Sequence, residues 1–285
     1  MPTTQPRTIL LATDLSSCCD RAQHRAMLLA KGWGAKLCIL HVMPGEGPPD
    51  LPSWRRDPAG TEARAERQIR ADLAGHGTAC EVILARGDAA ETILAQATEQ
   101  EAGLIVTGVA RNEMLGRAAL GAIVDQLVSQ APVPVLVVKG RPRGAYAEIL
   151  VATDFSESAR QALQAALHLF PEARITVFHA FRIPFEGFVG HDASRGEMHS
   201  LAVAELEAFL QQVHAPPGWR ARVTPLVEYG EAGALIADYV QARDIPLVVL
   251  GTQGRSGLAR FLVGSTAKRL LATLPCDTMT LRQPG

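Results

Sequence analysis

The sequence contains no apolar run of the roughly 20 residues that a membrane-spanning helix needs. Its net charge is −1, whereas a nucleic-acid-binding protein normally shows a basic excess or a basic face. The first seven residues lack the apolar stretch of a signal peptide. These absences argue against membrane insertion, nucleic-acid binding and secretion, and they predict a cytoplasmic protein.

Cysteine is scarce, and its spacing matches no known framework. There are five cysteines, an odd number, and the adjacent Cys18 and Cys19 do not suit an ordinary unstrained disulfide. No C-x2-C pair suggests a metal site, and His191 and His199 have no identifiable third ligand. We therefore expect reduced thiols and no bound metal. The start of a helix could lower the thiol pKa values of Cys18 and Cys19, although ordinary packing is the simpler interpretation.

What the sequence does contain is a long internal repeat. Residues 8–16 (TILLATDLS) return as residues 148–156 (EILVATDFS), an offset of 140, and Leu40-His41-Val42 returns as Phe178-His179-Ala180. From Gly87 onward the offset is 143. A period of this size is that of one domain and far exceeds a solenoid repeat. The pattern predicts two tandem domains, residues 1–140 and 145–285, joined by a short linker at residues 140–144.

Each copy alternates short apolar runs with amphipathic stretches, which predicts βαβ units and a mostly parallel, doubly wound sheet. The predicted strands are 8–12, 37–42, 80–85, 104–107 and 133–138, then 149–153, 174–180, 220–227, 247–250 and 278–281. The predicted helices are 17–31, 61–74, 89–100 and 122–130, then 158–169, 197–213, 232–242 and 265–273. The fold class is therefore α/β, with five strands and flanking helices in each domain. Segments 43–60 and 182–196 interrupt the rhythm and are either surface loops or lids.

A glycine-spaced segment follows a predicted strand in the second copy. It reads Gly251-x2-Gly254-x9-Gly264-Ser265 and runs directly into a predicted helix. Glycines let the backbone approach a ligand, and the N–H groups and positive end of a helix attract an anion. The hydroxyls of Ser265 and Thr266 add hydrogen-bond donors. The segment predicts a phosphate cradle, and a nucleotide triphosphate suits it.

With these motifs and the segment Val151-Ala152-Thr153-Asp154-Phe155-Ser156, the chain resembles the universal stress protein family over essentially its whole length. The resemblance implies ATP, with Mg²⁺, in a cleft above the strand ends. It implies Asp154 near the ribose and base, the backbone of Ala180 near adenine, and the glycine segment near the phosphates. Arg255 could reach a γ-phosphate. The candidate nucleotide-binding residues are Ala152, Thr153, Asp154, Ala180, Gly251, Gly254, Arg255, Gly264, Ser265 and Thr266.

The first copy departs from this signature at two positions. Arg111 replaces the second glycine, and Ala122 replaces the serine. A long side chain then lies where backbone should meet phosphate, although a guanidinium could also bind phosphate itself. We expect a dead or altered first site and an intact second one.

Two pairs of equivalent polar residues follow the first and second strands of each copy. Asp14 and Asp154 precede a serine suited to cap the next helix, and either could also contact a ligand. His41 and His179 end the second strands and fit a structural role. The sequence identifies no catalytic set.

The leading hypothesis is a cytoplasmic stress-response or signalling module that binds ATP in its second domain. The resemblance also implies an intramolecular pseudo-dimer of the two domains. A homodimer and an unidentified protein partner remain open. The alternative is a slow ATPase or an autophosphorylating enzyme, although phosphoryl transfer needs a positioned nucleophile that the sequence does not reveal. An adenylating enzyme with a glycine-rich loop after the first strand is disfavoured, since residues 12–16 and 152–156 contain no glycine.

Overall fold

The computed structural model describes residues 5–45, 58–73, 80–109, 121–182, 191–253 and 263–282. The chain forms two compact units, which divide between Ala145 and Tyr146. In the described ranges, no helix has the length and apolar character needed to cross a membrane.

The first unit contains a parallel five-stranded sheet with the order β3-β2-β1-β4-β5. Its strands are β1 Thr8–Thr13, β2 Lys36–Met43, β3 Cys80–Arg86, β4 Leu104–Gly108 and β5 Val135–Val138. Its helices are α1 Asp20–Trp33, α2 Pro58–Asp72, α3 Ala89–Glu99 and α4 Ala122–Gln130, with a 3-10 turn at Ser17–Cys19 before α1.

The second unit repeats this topology, with the parallel order β10-β9-β6-β7-β8. Its strands are β6 Glu148–Ala152, β7 Arg174–Phe181, β8 Val223–Tyr229, β9 Leu247–Gly251 and β10 Asp277–Leu281. Its helices are α5 Glu157–Leu169, α6 His191–Gln211, α7 Ala232–Ala242 and α8 Ser265–Thr273. The predicted α/β class with parallel, helix-flanked sheets is confirmed.

The central strands of both units are covered on both faces. Ile9, Leu10 and Leu11 in β1 and Leu150 and Val151 in β6 are fully buried. Consecutive apolar residues therefore suit these strands better than strict alternation, as is typical of parallel sheets between helices.

Most boundaries differ from the sequence prediction by one to three residues, and two of the differences have a clear local cause. Strand β5 begins at Val135, because Pro134 has no N–H to donate to a sheet. Residues Trp219–Arg222 form a 3-10 turn after Gly218, whose φ of 81° is left-handed, so β8 begins at Val223. Helix α6 begins at His191, inside segment 182–196, which was predicted as a surface loop or a lid.

The sheet order of the second unit fixes where a ligand would bind. From β6 the chain moves to β7 and β8 on one side and then returns to β9 on the other. The carboxyl ends of β6 and β9 therefore flank a topological switch point, which is where open α/β sheets bind ligands.

Candidate functional site

The turn after β6 holds Asp154 at the edge of this switch point. The backbone N–H of Phe155 donates to Thr153 Oγ1 at 2.9 Å, and that of Ser156 donates to Asp154 Oδ1 at 3.0 Å. Phe155 has a φ of 65°, a left-handed conformation that is uncommon for a residue with a bulky side chain. Ser156 caps α5, since its Oγ accepts from the N–H of Ala159 at 3.2 Å. The predicted capping role of Ser156 is confirmed.

The first unit contains the same turn with a weaker cap. Leu15 has a φ of 59°, and its N–H donates to Thr13 Oγ1 at 3.1 Å. The Ser16 N–H donates to Asp14 Oδ1 at 2.9 Å, but the Ser16 hydroxyl makes no capping hydrogen bond.

Both strand-end histidines contact a backbone carbonyl, as expected of a structural residue, and His179 also lines the cleft described below. The Nδ1 atom of His179 lies 2.9 Å from the carbonyl oxygen of Thr153, and that of His41 lies 2.9 Å from the carbonyl oxygen of Thr13. The ring of His179 also stacks on Phe155, with ring centroids 4.0 Å apart. His179 thereby connects the end of β7 to the turn that carries Asp154.

The two ends of the glycine-spaced segment meet at Thr252. Its N–H donates to the carbonyl of Leu281 at 3.0 Å, and its carbonyl accepts from the N–H of Gly264 at 2.9 Å. Of this segment, residues 254–262, with Gly254 and Arg255, lie outside the described residues. The hydrogen bond between Thr252 and Gly264 joins the end of β9 to the start of α8.

Helix α8 begins at Ser265 and points its N-terminus toward this region. Its cap, Gly264, provides no side-chain hydrogen bond to the first turn, and Ser265 and Thr266 are exposed. First-turn N–H groups have no intrahelical partner, and the helix dipole places positive charge there. The helix start is therefore suited to an anionic group.

A cleft of about 510 Å³ collects these parts. Eight of the ten candidate residues line it, namely Ala152, Thr153, Asp154, Ala180, Gly251, Gly264, Ser265 and Thr266. Apolar residues make up much of the remaining lining, which we call the apolar wall, namely Ala159, Phe178, Ala232, Ile236, Leu250, Ala267 and Leu270. The mixed lining and the volume fall within the range of small-molecule sites. Sequence reasoning missed the apolar wall and also Gln253, because their contribution depends on packing across the sheet.

An ion pair connects the start of α7 to the middle of α8. Glu231 caps α7, accepting from the N–H groups of Gly233 at 3.0 Å and Ala234 at 2.9 Å, and it also accepts from Arg269. These backbone and arginine hydrogen bonds lower the pKa of Glu231 to about 2. A Cβ at position 233 would lie 2.2 Å from Arg269 Nη2, so a larger residue there would displace the arginine side chain from this ion pair.

The first unit differs from the second at the corresponding helix start. Gly121 precedes α4, as Gly264 precedes α8, but Ala122 supplies no hydroxyl. Asp125 is in the first turn of α4, where the repeat offset of 143 places Lys268 in α8. A carboxylate there opposes an anionic ligand. Arg111, the other predicted departure, lies outside the described residues.

The structure also places the remaining candidates. Cys19 is buried, burial raises the pKa of its thiol, and its Sγ lies 3.2 Å from Asp14 Oδ1, so it is a packed thiol. His199 lies against Phe181, with ring centroids 6.0 Å apart. The side chains of Cys18 and His191 lie outside the described part. No cluster of three potential metal-ligating side chains occurs among the described residues.

Comparison with known proteins gives one consistent result. The model of the universal stress protein family matches residues 6–139 and 145–282. A universal stress protein of Thermus aquaticus is 34% identical over 140 residues, covering 47% of this chain and 98% of that protein. Universal stress protein E of Escherichia coli K12 is 28% identical over 176 residues, covering 55% and 53%.

Solved structures agree over the full chain. A universal stress protein of Archaeoglobus fulgidus superposes with a TM-score of 0.69 at 18% identity, covering 99% of this chain and 98% of that one. A functionally unknown protein of Pseudomonas aeruginosa PAO1 also gives a TM-score of 0.69, at 23% identity, covering 98% and 93%. At these identities the likeness is one of fold.

Proposed function

This chain belongs to the universal stress protein family, and we propose that its second domain binds ATP as the nucleotide-dependent part of a stress-response or signalling module. The observation that carries the proposal is the single cleft in which eight of the ten candidate residues meet. They come from the ends of β6, β7 and β9 and from the start of α8, which are distant in sequence.

The chemistry of the cleft supports a ligand with one anionic and one apolar end. The start of α8 offers N–H groups and the Ser265 and Thr266 hydroxyls to phosphates. The apolar wall with Phe178 and Ile236 suits a base. Asp154 lines the same cleft, and the Ser156 N–H donates to its Oδ1, which orients the carboxylate that we propose as the acceptor for a ribose hydroxyl.

We propose that Mg²⁺ binds together with the nucleotide. Mg²⁺ retains several waters and is commonly held by substrate phosphates together with one or two carboxylates. Asp154 is the carboxylate among the described residues that line the cleft. The residues present therefore fit a metal that arrives bound to ATP rather than a resident ion.

We propose that the first domain does not bind ATP in the same way. Ala122 lacks the hydroxyl of Ser265, and Asp125 adds negative charge at the start of α4. The cytoplasmic location, the protein partner and the pairing of the two domains stay predictions from the sequence and the family resemblance.

Calorimetric titration of the full chain with ATP and Mg²⁺ tests the function. We expect about one site per chain, and two equivalent sites would contradict the asymmetry. Ser265→Ala should weaken affinity about 10- to 150-fold, the effect of losing a charge-assisted hydrogen bond worth roughly 1.5–3 kcal/mol. Ser129→Ala removes a hydroxyl that donates to Asp125 O in α4 of the first unit, and it should leave affinity unchanged.

The alternative that the protein is an enzyme can be tested with the same purified protein. Prolonged incubation with ATP labelled on its γ-phosphate should return intact nucleotide if the protein is a binder. Released phosphate would indicate a slow ATPase, and labelled protein would indicate autophosphorylation.

A further inference from the structure

Ser158 makes an unusual pair of hydrogen bonds outside the cleft lining. It is the second residue of α5 and is 2% exposed. Its Oγ donates to the carbonyl oxygen of Gln253 at 2.6 Å and accepts from the N–H of the same residue at 3.2 Å. One hydroxyl therefore satisfies both backbone groups of a residue 95 positions away. The cap of α5 is Ser156, so this arrangement is not required to begin the helix.

Gln253 is fixed from the α5 side by a second hydroxyl as well. Ser156 Oγ donates to the same carbonyl at 3.2 Å. The preceding residue, Thr252, is bonded to Leu281 in β10 and to Gly264 at the start of α8. Residues 252 and 253 are thus held by α5, β10 and the cap of α8 together. These two residues follow Gly251 directly and are the first part of the glycine-spaced segment.

Close contact between α5 and β9 makes this arrangement possible. A Cβ at Gly251 would lie 2.2 Å from Ser158 Oγ and 2.7 Å from the Ser158 carbonyl carbon. A Cβ atom does not approach non-bonded atoms this closely, so only glycine at position 251 allows the start of α5 to pack against the end of β9. In the first copy, the repeat offset of 140 places Cys18 where the second copy has Ser158. A thiol is a weak donor and a weak acceptor.

We propose that Ser158 is a positioning residue for phosphate recognition. It does not touch the nucleotide. It fixes the backbone at Gln253, and through Thr252 and Gly264 it fixes where the start of α8 lies relative to the phosphates. This inference rests on the ATP binding proposed above. In it, Ser158 positions the part of the cleft that binds the phosphates and does not affect the part that binds the base.

Binding measurements on Ser158→Ala test the proposal. We expect ATP affinity to fall about 3- to 30-fold, since the Gln253 N–H loses the Ser158 hydroxyl and the Gln253 carbonyl keeps only that of Ser156, while adenosine affinity stays within about 2-fold. Ser158→Cys should give an intermediate loss. Ser200→Ala is the matched control, because its exposed Oγ donates to the carbonyl of Gly196 in α6, and it should bind both ligands as the parent does. Thermal unfolding establishes that each variant is folded at the temperature of titration.

Hydrogen exchange without nucleotide gives a readout that does not depend on the ligand. In Ser158→Ala, the amides of Gln253 and Gly264 should exchange faster, whereas those of β9 residues 247–250 should not change. Unchanged exchange at Gln253 and Gly264, unchanged ATP affinity, or an equal loss of ATP and adenosine affinity would each overturn the proposal. If the parent protein binds neither ligand, the proposed function fails, and the exchange result still decides whether Ser158 fixes this segment.

Discussion

At the scale of single residues, glycine at position 251 is dictated by what surrounds it. Its φ is not in the left-handed region, so backbone freedom is not the reason. The reason is space, because a Cβ there would overlap both the side chain and the backbone of Ser158 and would lie 2.8 Å from the Ala159 nitrogen. The repeat places Gly108 at the equivalent point of the first copy.

Gly251→Ala should therefore destabilise the second unit by about 1–3 kcal/mol, the cost of overpacking a closely packed contact. Backbone atoms form part of the clash, so Ser158→Ala should not rescue it. Urea denaturation measures the change, followed by the fluorescence of Trp219 of the second unit in a background where Trp33 and Trp54 are replaced by Phe.

Gly196→Ala is the control for this measurement. It lies within α6, and a Cβ there would meet nothing within 4 Å. We expect it to stabilise the protein by about 0.5–1 kcal/mol, since alanine loses less conformational entropy in a helix. If Gly251→Ala destabilised the protein by less than about 0.5 kcal/mol, the start of α5 would be able to move away from the added Cβ, and the prediction would be wrong.

At the scale of elements, the start of α7 is joined to the middle of α8 by Glu231 and Arg269. Glu231 acts as the cap of one helix and as the ion-pair partner of a residue in the other. Its pKa, about 2 against an ordinary 4.5, places the carboxylate in its charged form over the whole physiological range. A depressed pKa of this kind stabilises the fold above pH 4.5, and the stabilisation is lost as the pH falls toward 2.

Glu231→Gln should lower stability at pH 7 by about 0.5–1 kcal/mol, because the negative charge at the helix start and the ion pair are lost. The difference from the parent should shrink steadily between pH 4.5 and pH 2, as the parent carboxylate becomes protonated. Urea midpoints across this pH range provide the measurement. Arg269→Gln removes the same ion pair but keeps the capping bonds, so it should cost less at pH 7.

Sequence periodicity predicted the elements well where local signals agree with packing. The observed bounds of α4, α7 and α8 are those predicted, because a cap residue and an amphipathic pattern coincide in each. The beginnings of β5, β8 and α6 were wrong, since Pro134, the turn after Gly218 and the register of a long helix depend on the surrounding chain.

The site was predictable in part for the same physical reason. Asp154, Gly264 and Ser265 belong to local motifs, and the motif positions that the structure describes do line one cleft. Ser158 and Gln253 carry no local signal. Their contact joins a helix start to a strand end 95 residues away, so only the folded sheet reveals it.

At the scale of the whole molecule, the two copies use one architecture with opposite charge at corresponding helix starts. Lys268 in the second unit corresponds to Asp125 in the first. A positive charge near the start of α8 favours a polyanion, and a negative charge at the start of α4 disfavours it. The first unit can therefore be compared with the second as a version of the same site that lacks the positive charge.

Lys268→Asp should weaken ATP affinity in the second domain by roughly 10-fold at low salt and by less at 0.5 M salt, because added ions screen a partly exposed charge. Asp125→Lys should leave that affinity unchanged, since it lies in the other unit. Titrations at two salt concentrations test both variants. Equal effects at the two concentrations would mean that the loss arises from packing rather than charge.

The order of strands within each unit also governs how the protein is made. Strand β1 pairs with β2 at Ile9 and Leu37, but its other neighbour, β4, supplies Leu104, about 95 residues later. At a synthesis rate of about 5–20 residues per second, the ribosome needs roughly 5–20 s to deliver that strand. During this interval one edge of β1, whose residues Ile9, Leu10 and Leu11 are buried in the folded unit, has no β4 to pair with, and the same delay recurs between β6 and β9 in the second unit. Neither unit can therefore pair its central strand on both sides until most of that unit has been translated.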